Sequence, residues 1–266
     1  MAQTLTSIDP LLPLLRQRPL GVLSDIDGTL APIVPRPEDA RVPEETRRLL
    51  RGLVEKGVRV ALVTGRSLES ALQIADVEGV AFAAEHGLRL WINSRLETAP
   101  GLAEYEALAG QAQAELRQTE RQTPGVQIEN KGPLLAVHYR RAKEPRAARE
   151  AVLAAVERST AARRFRLHEG RMVVELRPPL DVDKGTAAVT LIERLGLRGV
   201  VCLGDDITDI DMFAAAGRKR AAGLAAITVA VVSEEATPEL LRAADYSLEG
   251  TEGVRWLLGE MVRVLP

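Results

Sequence analysis

Short, nearly unbroken apolar runs alternate along this chain with segments of helical period. Leu20 to Ser24, Val58 to Val63, Val80 to Ala84, Val200 to Leu203 and Ile227 to Val232 are runs of this kind. Apolar residues that are continuous rather than alternating point to strands covered on both faces, as in a parallel sheet flanked by helices. Between two of these runs, Glu44 to Glu55 sets Leu49, Leu50, Leu53 and Val54 on one stripe of a helix, and Gly57 offers a stop before the next strand. The recurring β-α order predicts an α/β protein with a Rossmann-like parallel-sheet core.

The middle of the chain has another rhythm. A polar helical run extends from about Gly101 through Gln122. Strands are then predicted at Val126 to Asn130 and Leu134 to Tyr139, a helix at Pro145 to Ser159, and strands at Phe165 to His168 and Met172 to Leu176, with a tight hairpin at Gly170 and Arg171. Strands so close in sequence pair antiparallel at least cost. The piece reads as a smaller α+β domain inserted into the first, because β-α units resume at Lys184. The expected division is a core of residues 1–97 and 178–266 and an insert of residues 98–177.

Composition narrows the function classes. With 35 Lys+Arg against 37 Asp+Glu, the formal charge of -2 supplies no bulk field for nucleic acid or an anionic membrane, so an anion must be gripped locally. Aromatic residues make up 3% of the chain, which argues against stacking platforms for single strands. Cys202, the one cysteine, precludes an internal disulfide, and its apolar neighbours predict a buried small side chain in a reducing compartment. The first twenty residues lack the basic start and unbroken apolar stretch of a signal peptide. A cytoplasmic monomer is expected.

The chemistry gathers at strand ends. Asp25-Ile26-Asp27-Gly28-Thr29-Leu30 follows the first apolar run directly, and Gly204-Asp205-Asp206-Ile207-Thr208-Asp209 follows another. Ligands of parallel α/β sheets collect at the carboxyl ends of strands. Acids concentrated there are costly to bury unless compensated, and a shared divalent cation is the economical compensation. Carboxylate oxygens suit Mg²⁺. Thr64-Gly65-Arg66 after the second run, and Asp183-Lys184-Gly185 where a helix begins, add groups fit for a phosphate.

In this order the four segments resemble the motifs of the haloacid dehalogenase superfamily of phosphatases, and the likeness covers nearly the whole chain. The resemblance implies that Asp25 attacks phosphorus to form an aspartyl-phosphate and that Asp27 protonates the leaving oxygen and then activates water. It implies Mg²⁺ held by Asp25, Asp205 and the backbone carbonyl of Asp27. Thr64 and Lys184 would hold phosphoryl oxygens, Asp206 or Asp209 would orient Lys184 or a water on the metal, and Gly28, Thr29, Gly65 and His86 would support the site. A carboxylate nucleophile does need charge quenching and a nearby proton carrier, so this chemistry agrees with the residues themselves.

Further strings resemble the trehalose-phosphate phosphatases of that superfamily: Ala84-Glu85-His86-Gly87, Glu129-Asn130-Lys131, His138-Tyr139-Arg140 and Gly170 through Pro178. That likeness makes the insert a cap and the substrate trehalose 6-phosphate, in trehalose biosynthesis. It implies that Glu129, Lys131 and Glu175 bind sugar hydroxyls, carboxylate acceptors and an ammonium donor being able to reject ligands that lack them. Arg66 either joins that substrate set or pairs with acids near the site. Sucrose 6-phosphate and mannosyl-3-phosphoglycerate are rival substrates, and a catalytically silent sugar-phosphate-binding module is the rival class.

Overall fold

The computed structural model describes residues 1–170, 172–233 and 237–266. Among these, the chain divides into two compact units, Met1–Glu97 with Val182–Pro266, and Thr98–Asp181. The first break falls after Glu97. The second falls after Asp181 rather than after Arg177.

The first unit is organised by a nine-stranded sheet. Its order across the sheet is Gln3–Thr4, Tyr246–Glu249, Ala225–Val232, Gly199–Gly204, Leu20–Ser24, Arg59–Val63, Ala81–Ala84, Arg89–Ile92 and Arg95–Thr98. The strands from Gln3–Thr4 through Ala81–Ala84 pair in parallel, and Arg89–Ile92 then pairs antiparallel with Ala81–Ala84. Apolar side chains leave the central strands on both sides, as continuous runs require. Val22, Val60, Leu62, Val201 and Leu203 enter one core with Leu50 and Leu53 of helix Glu44–Glu55 and Leu257, Leu258 and Met261 of helix Gly250–Val264. Leu23, Ala61, Val63, Val200 and Cys202 enter the other, against helices Lys184–Arg194 and Asp209–Ala221. Burial pushes the Cys202 thiol up to about 12, so it serves as packing.

Chain order reverses at the middle of this sheet. From Leu20–Ser24 the chain moves outward through Arg59–Val63 to Ala81–Ala84; on its return it re-enters beside Leu20–Ser24 at Gly199–Gly204 and builds the other half. Such a reversal leaves a crevice at the carboxyl ends of the two central strands. Leu203 lies opposite Ser24, so the residues that follow each strand emerge side by side.

The second unit is a four-stranded antiparallel sheet in the order Gln127–Asn130, Leu135–His138, Val173–Arg177, Arg166–Gly170. One face packs Ile128, Leu135, Val137, Val174 and Leu176 on helices Leu102–Gln122 and Pro145–Arg158. The hairpin expected at Gly170 and Arg171 joins strands paired Gly170 to Val173, and Arg171 itself lies outside the described residues. No helix among the described residues is long and apolar enough to cross a membrane.

Candidate active site

Asp25 follows the last residue of strand Leu20–Ser24 and continues its ladder, donating its backbone N–H to the Leu203 carbonyl at 2.9 Å. Its side chain is 7% exposed. On the neighbouring strand end, Asp205 accepts a hydrogen bond from Thr29 Oγ1 at 3.1 Å. Asp209 opens helix Asp209–Ala221 and turns back under the loop, where its Oδ2 accepts the backbone N–H groups of Asp205 and Asp206, each at 3.0 Å. Lys184 joins the two strand ends: its Nζ lies 2.9 Å from Asp25 Oδ1 and 2.8 Å from Asp209 Oδ1.

Local sequence explains why Lys184 is there. Asp183 caps helix Lys184–Arg194 by accepting the Thr186 N–H at 2.7 Å, while Thr186 Oγ1 accepts the Asp183 N–H at 2.9 Å. This reciprocal cap starts the helix at Lys184. A cation in a first helical turn opposes the helix dipole. Asp25 and Asp209 offset that opposition: burial alone would depress the ammonium, yet the two carboxylates outweigh it and raise its pKa.

The acids outnumber their cation. Asp25, Asp205 and Asp209 each bring a carboxylate oxygen within 4.8 Å of the others, against the single ammonium of Lys184. Burial raises the Asp25 carboxyl well above the usual range; Lys184 pulls it down, while Asp209, Asp205 and Asp27 push it up. Burial, then Asp209, raises Asp205 to about 7. An oxygen-only donor set with surplus negative charge suits a hard divalent cation, so the residues fit the group expected of them.

The third strand end supplies Thr64, which is 1% exposed. Its backbone N–H continues the ladder to Ala83 O at 2.9 Å, and its Oγ1 accepts the Arg66 N–H at 3.2 Å. The Arg66 backbone donor therefore serves the loop, and the Thr64 hydroxyl hydrogen is what this residue offers a ligand. His86 donates its N–H to the Thr64 carbonyl at 2.9 Å, and its ring covers Gly65 so closely that a Cβ there would lie 2.7 Å from Nε2. Arg66 reaches Asp27 with Nε and Nη2, each 2.6 Å from a carboxylate oxygen. Of the alternatives for Arg66, the structure brings the acid.

In the second unit, Glu129, Lys131 and Glu175 converge. Lys131 Nζ lies 3.8 Å from Glu129 Oε2 and 3.6 Å from Glu175 Oε1. His138 Nε2 lies 2.9 Å from Glu129 Oε2, and Arg177 Nε donates to Glu175 Oε2 at 2.9 Å. Thus each acid is held from one side by a second residue of its own sheet. Glu85 and Arg177 lie in strings that carry the family resemblance in the sequence, but the sequence gives neither a role and does not mark Ser70 at all. Glu85 is fully buried and accepts the Leu68 N–H at 3.0 Å and Arg89 Nη1 at 2.9 Å. A carboxylate placed directly after an apolar strand was the signal that could have marked it.

A family model described as trehalose-phosphatase matches residues 23–249, which takes in all three strand ends, Lys184 and the second unit. The chain belongs to that family. A Mycobacterium bovis protein named trehalose-phosphate phosphatase is 35% identical over 210 residues, covering 74% of this chain and 51% of that protein. A Mycobacterium tuberculosis protein described as an uncharacterized glycosyl hydrolase is 37% identical over 209 residues, covering 75% of this chain and 15% of the larger protein. The chain thus spans about half the length of one relative and far less of the other. The C-terminal domain of a Candida albicans trehalose-6-phosphate phosphatase superposes with a TM-score of 0.82 at 23% identity over 100% of both chains, which shows the shared α/β fold.

Proposed function

We propose that this chain hydrolyses trehalose 6-phosphate to trehalose and inorganic phosphate, with Asp25 as nucleophile and Mg²⁺ as cofactor. The observation that carries the proposal is the buried Lys184 bridge between Asp25 and Asp209 at the sheet's reversal point, with Asp205 beside it. Family membership supports the substrate.

Asp25 and Asp205 side chains and the Asp27 carbonyl would hold the cation, which when bound neutralises charge between nucleophile and phosphoryl group. Asp209 is committed to Lys184 and to two backbone amides, so its task is to hold those groups. In the first step an Asp25 oxygen bonds to phosphorus as the bond to the sugar oxygen breaks, and Asp27 gives that oxygen its proton. In the second, a water loses its proton to Asp27 and attacks phosphorus, releasing phosphate and restoring Asp25. Thr64 and Lys184 hold the phosphoryl oxygens through both steps. Glu129, Lys131 and Glu175 take the sugar hydroxyls, with His138 and Arg177 keeping the two acids oriented. A cytoplasmic setting fits the reduced, buried Cys202.

The test is phosphate release from a panel of sugar phosphates with and without magnesium. Trehalose 6-phosphate is expected to be hydrolysed fastest, with one phosphate released per ester consumed and no isomeric ester formed. Asp25→Asn is expected to lose several orders of magnitude in kcat while still binding the ester. Faster hydrolysis of sucrose 6-phosphate or mannosyl-3-phosphoglycerate would refute the substrate, and near-normal turnover in Asp25→Asn would refute the nucleophile.

A further inference from the structure

Arg66 sits at a strand end where an arginine could grip a phosphate or a sugar, yet its contacts lead elsewhere. Its Nε donates to Asp27 Oδ2 and its Nη2 to Asp27 Oδ1, both at 2.6 Å. This fork-on-fork pairing fixes direction as well as distance. Nη1 is tied behind it to the Pro37 carbonyl at 3.0 Å and to Ser70 Oγ at 3.2 Å. These contacts take up most of the guanidinium's N–H donors.

The backbone beneath is equally held. The Arg66 carbonyl accepts the Glu85 N–H at 2.9 Å, and Ser67 caps helix Leu68–Ala75 by accepting the Ser70 N–H at 3.3 Å. Asp27 differs: its side chain is 35% exposed, against 11% for Arg66, on the turn that precedes Gly28. A half-exposed carboxylate on a turn samples several rotamers, whereas proton transfer needs its oxygen within about 3 Å of the reacting atom. The fork uses two of roughly four lone-pair sites on the carboxylate and leaves the others open to a leaving-group oxygen or a water.

We infer that Arg66 is a positioning residue for Asp27, a fixed post that aims the proton-carrying carboxylate, and is not a contact for the sugar phosphate. The inference rests on the proposed role of Asp27 as proton carrier. Lysine cannot replace the post, because a point charge on a flexible stem fixes no direction.

Leaving-group dependence separates this role from others. A sugar alkoxide needs a proton as it departs, while p-nitrophenolate departs without one. On the full chain with magnesium, kcat and KM are measured for the sugar phosphate that the panel selects and for p-nitrophenyl phosphate, in the wild type, Arg66→Lys, Ser70→Ala and Asp27→Asn. Arg66→Lys is expected to lower kcat/KM on the sugar phosphate by about ten- to a hundredfold, with KM little changed, and to lower kcat/KM on the aryl ester much less, while kcat on either ester also falls through the second step that both share. Ser70→Ala, which loosens Arg66 without removing it, is expected to show a smaller loss of the same selectivity and carries the test if Arg66→Lys fails to fold. Asp27→Asn is expected to show the largest selective loss. A raised KM with kcat kept in Arg66→Lys would make Arg66 a substrate contact and overturn the inference. Equal losses of kcat/KM on both esters would make it merely structural and overturn it too. If Asp27→Asn itself fails to separate the esters in kcat/KM, the proposed role of Asp27 in protonating the leaving group is wrong and the inference falls with it.

Discussion

Gly28 shows how tightly the acids are drawn together. Its φ of +81° lies in the left-handed region, and a Cβ built there would stand 2.0 Å from Asp205 Oδ2. Two demands therefore fall on one residue: a conformation that costs other residues about 1–2 kcal/mol, and room for a carboxylate against the backbone. Gly57 meets only the first, with φ +77° and nothing within 4 Å of its Cβ position. Gly57→Ala is thus expected to lose about 1 kcal/mol of stability and no activity. Gly28→Ala is expected to lose a similar amount from strain and, because Asp205 must move, about ten- to a hundredfold in kcat together with weaker magnesium dependence. Thermal melts and cation titrations of phosphate release compare the two, and a Gly28→Ala enzyme with wild-type cation dependence would mean that Asp205 tolerates displacement.

At the scale of the element, helix Lys184–Arg194 delivers a buried cation through its first residue, so its start must be fixed. The Asp183 and Thr186 exchange of hydrogen bonds does this. Asp183→Ala is expected to cost about 1 kcal/mol of stability and a few-fold in kcat/KM, with Asp183→Asn restoring most of both, since asparagine caps equally well. An Asp183→Ala variant with lower stability but unaltered kinetics would show that packing alone holds Lys184. Elements of this kind were legible in the sequence because strand, glycine and cap signals fell together; helix Glu44–Glu55 begins and ends at its expected residues. Strands Arg89–Ile92 and Arg95–Thr98 were not. They are four residues each; Arg89–Ile92 has an apolar run of only Leu90, Trp91 and Ile92, Arg95–Thr98 is exposed throughout and has none, and only Asn93 and Ser94, with φ of 51° and 60°, mark the turn between them. Strand Tyr246–Glu249, Tyr-Ser-Leu-Glu, was missed because it has no apolar run, being held by neighbours on both sides of the sheet. In the site, Asp25, Asp27, Lys184 and Asp205 stood out because charge beside an apolar strand is conspicuous. The Arg66 to Asp27 pairing was left open because 39 residues separate the two, and only the adjacency of strands Leu20–Ser24 and Arg59–Val63 brings them together.

Over the whole molecule, the acid cluster exists only when the chain is folded, for Asp25 and Asp205 meet across two strands 180 residues apart in the numbering, 205 less 25. Unfolded, Asp205 titrates near the ordinary 3.8; folded, burial and Asp209 raise it to about 7. Between about pH 4 and pH 7 the folded chain therefore keeps a proton that the unfolded chain has released. A raised carboxyl of this kind lowers stability as pH climbs through that window, with no further loss above it. A divalent cation competes with the proton for the same oxygens and binds only the folded chain, so it stabilises by mass action and more strongly once the proton has gone. The rise in melting temperature on adding magnesium to the chelator-treated protein is expected to be several degrees larger at about pH 8 than at about pH 5. Asp205→Asn is expected to remove most of that difference. An equal rise at both pH values in the wild-type protein would mean that protons and the cation do not share Asp205, and the charge balance drawn from the three carboxylates and Lys184 would have to be rebuilt around another group.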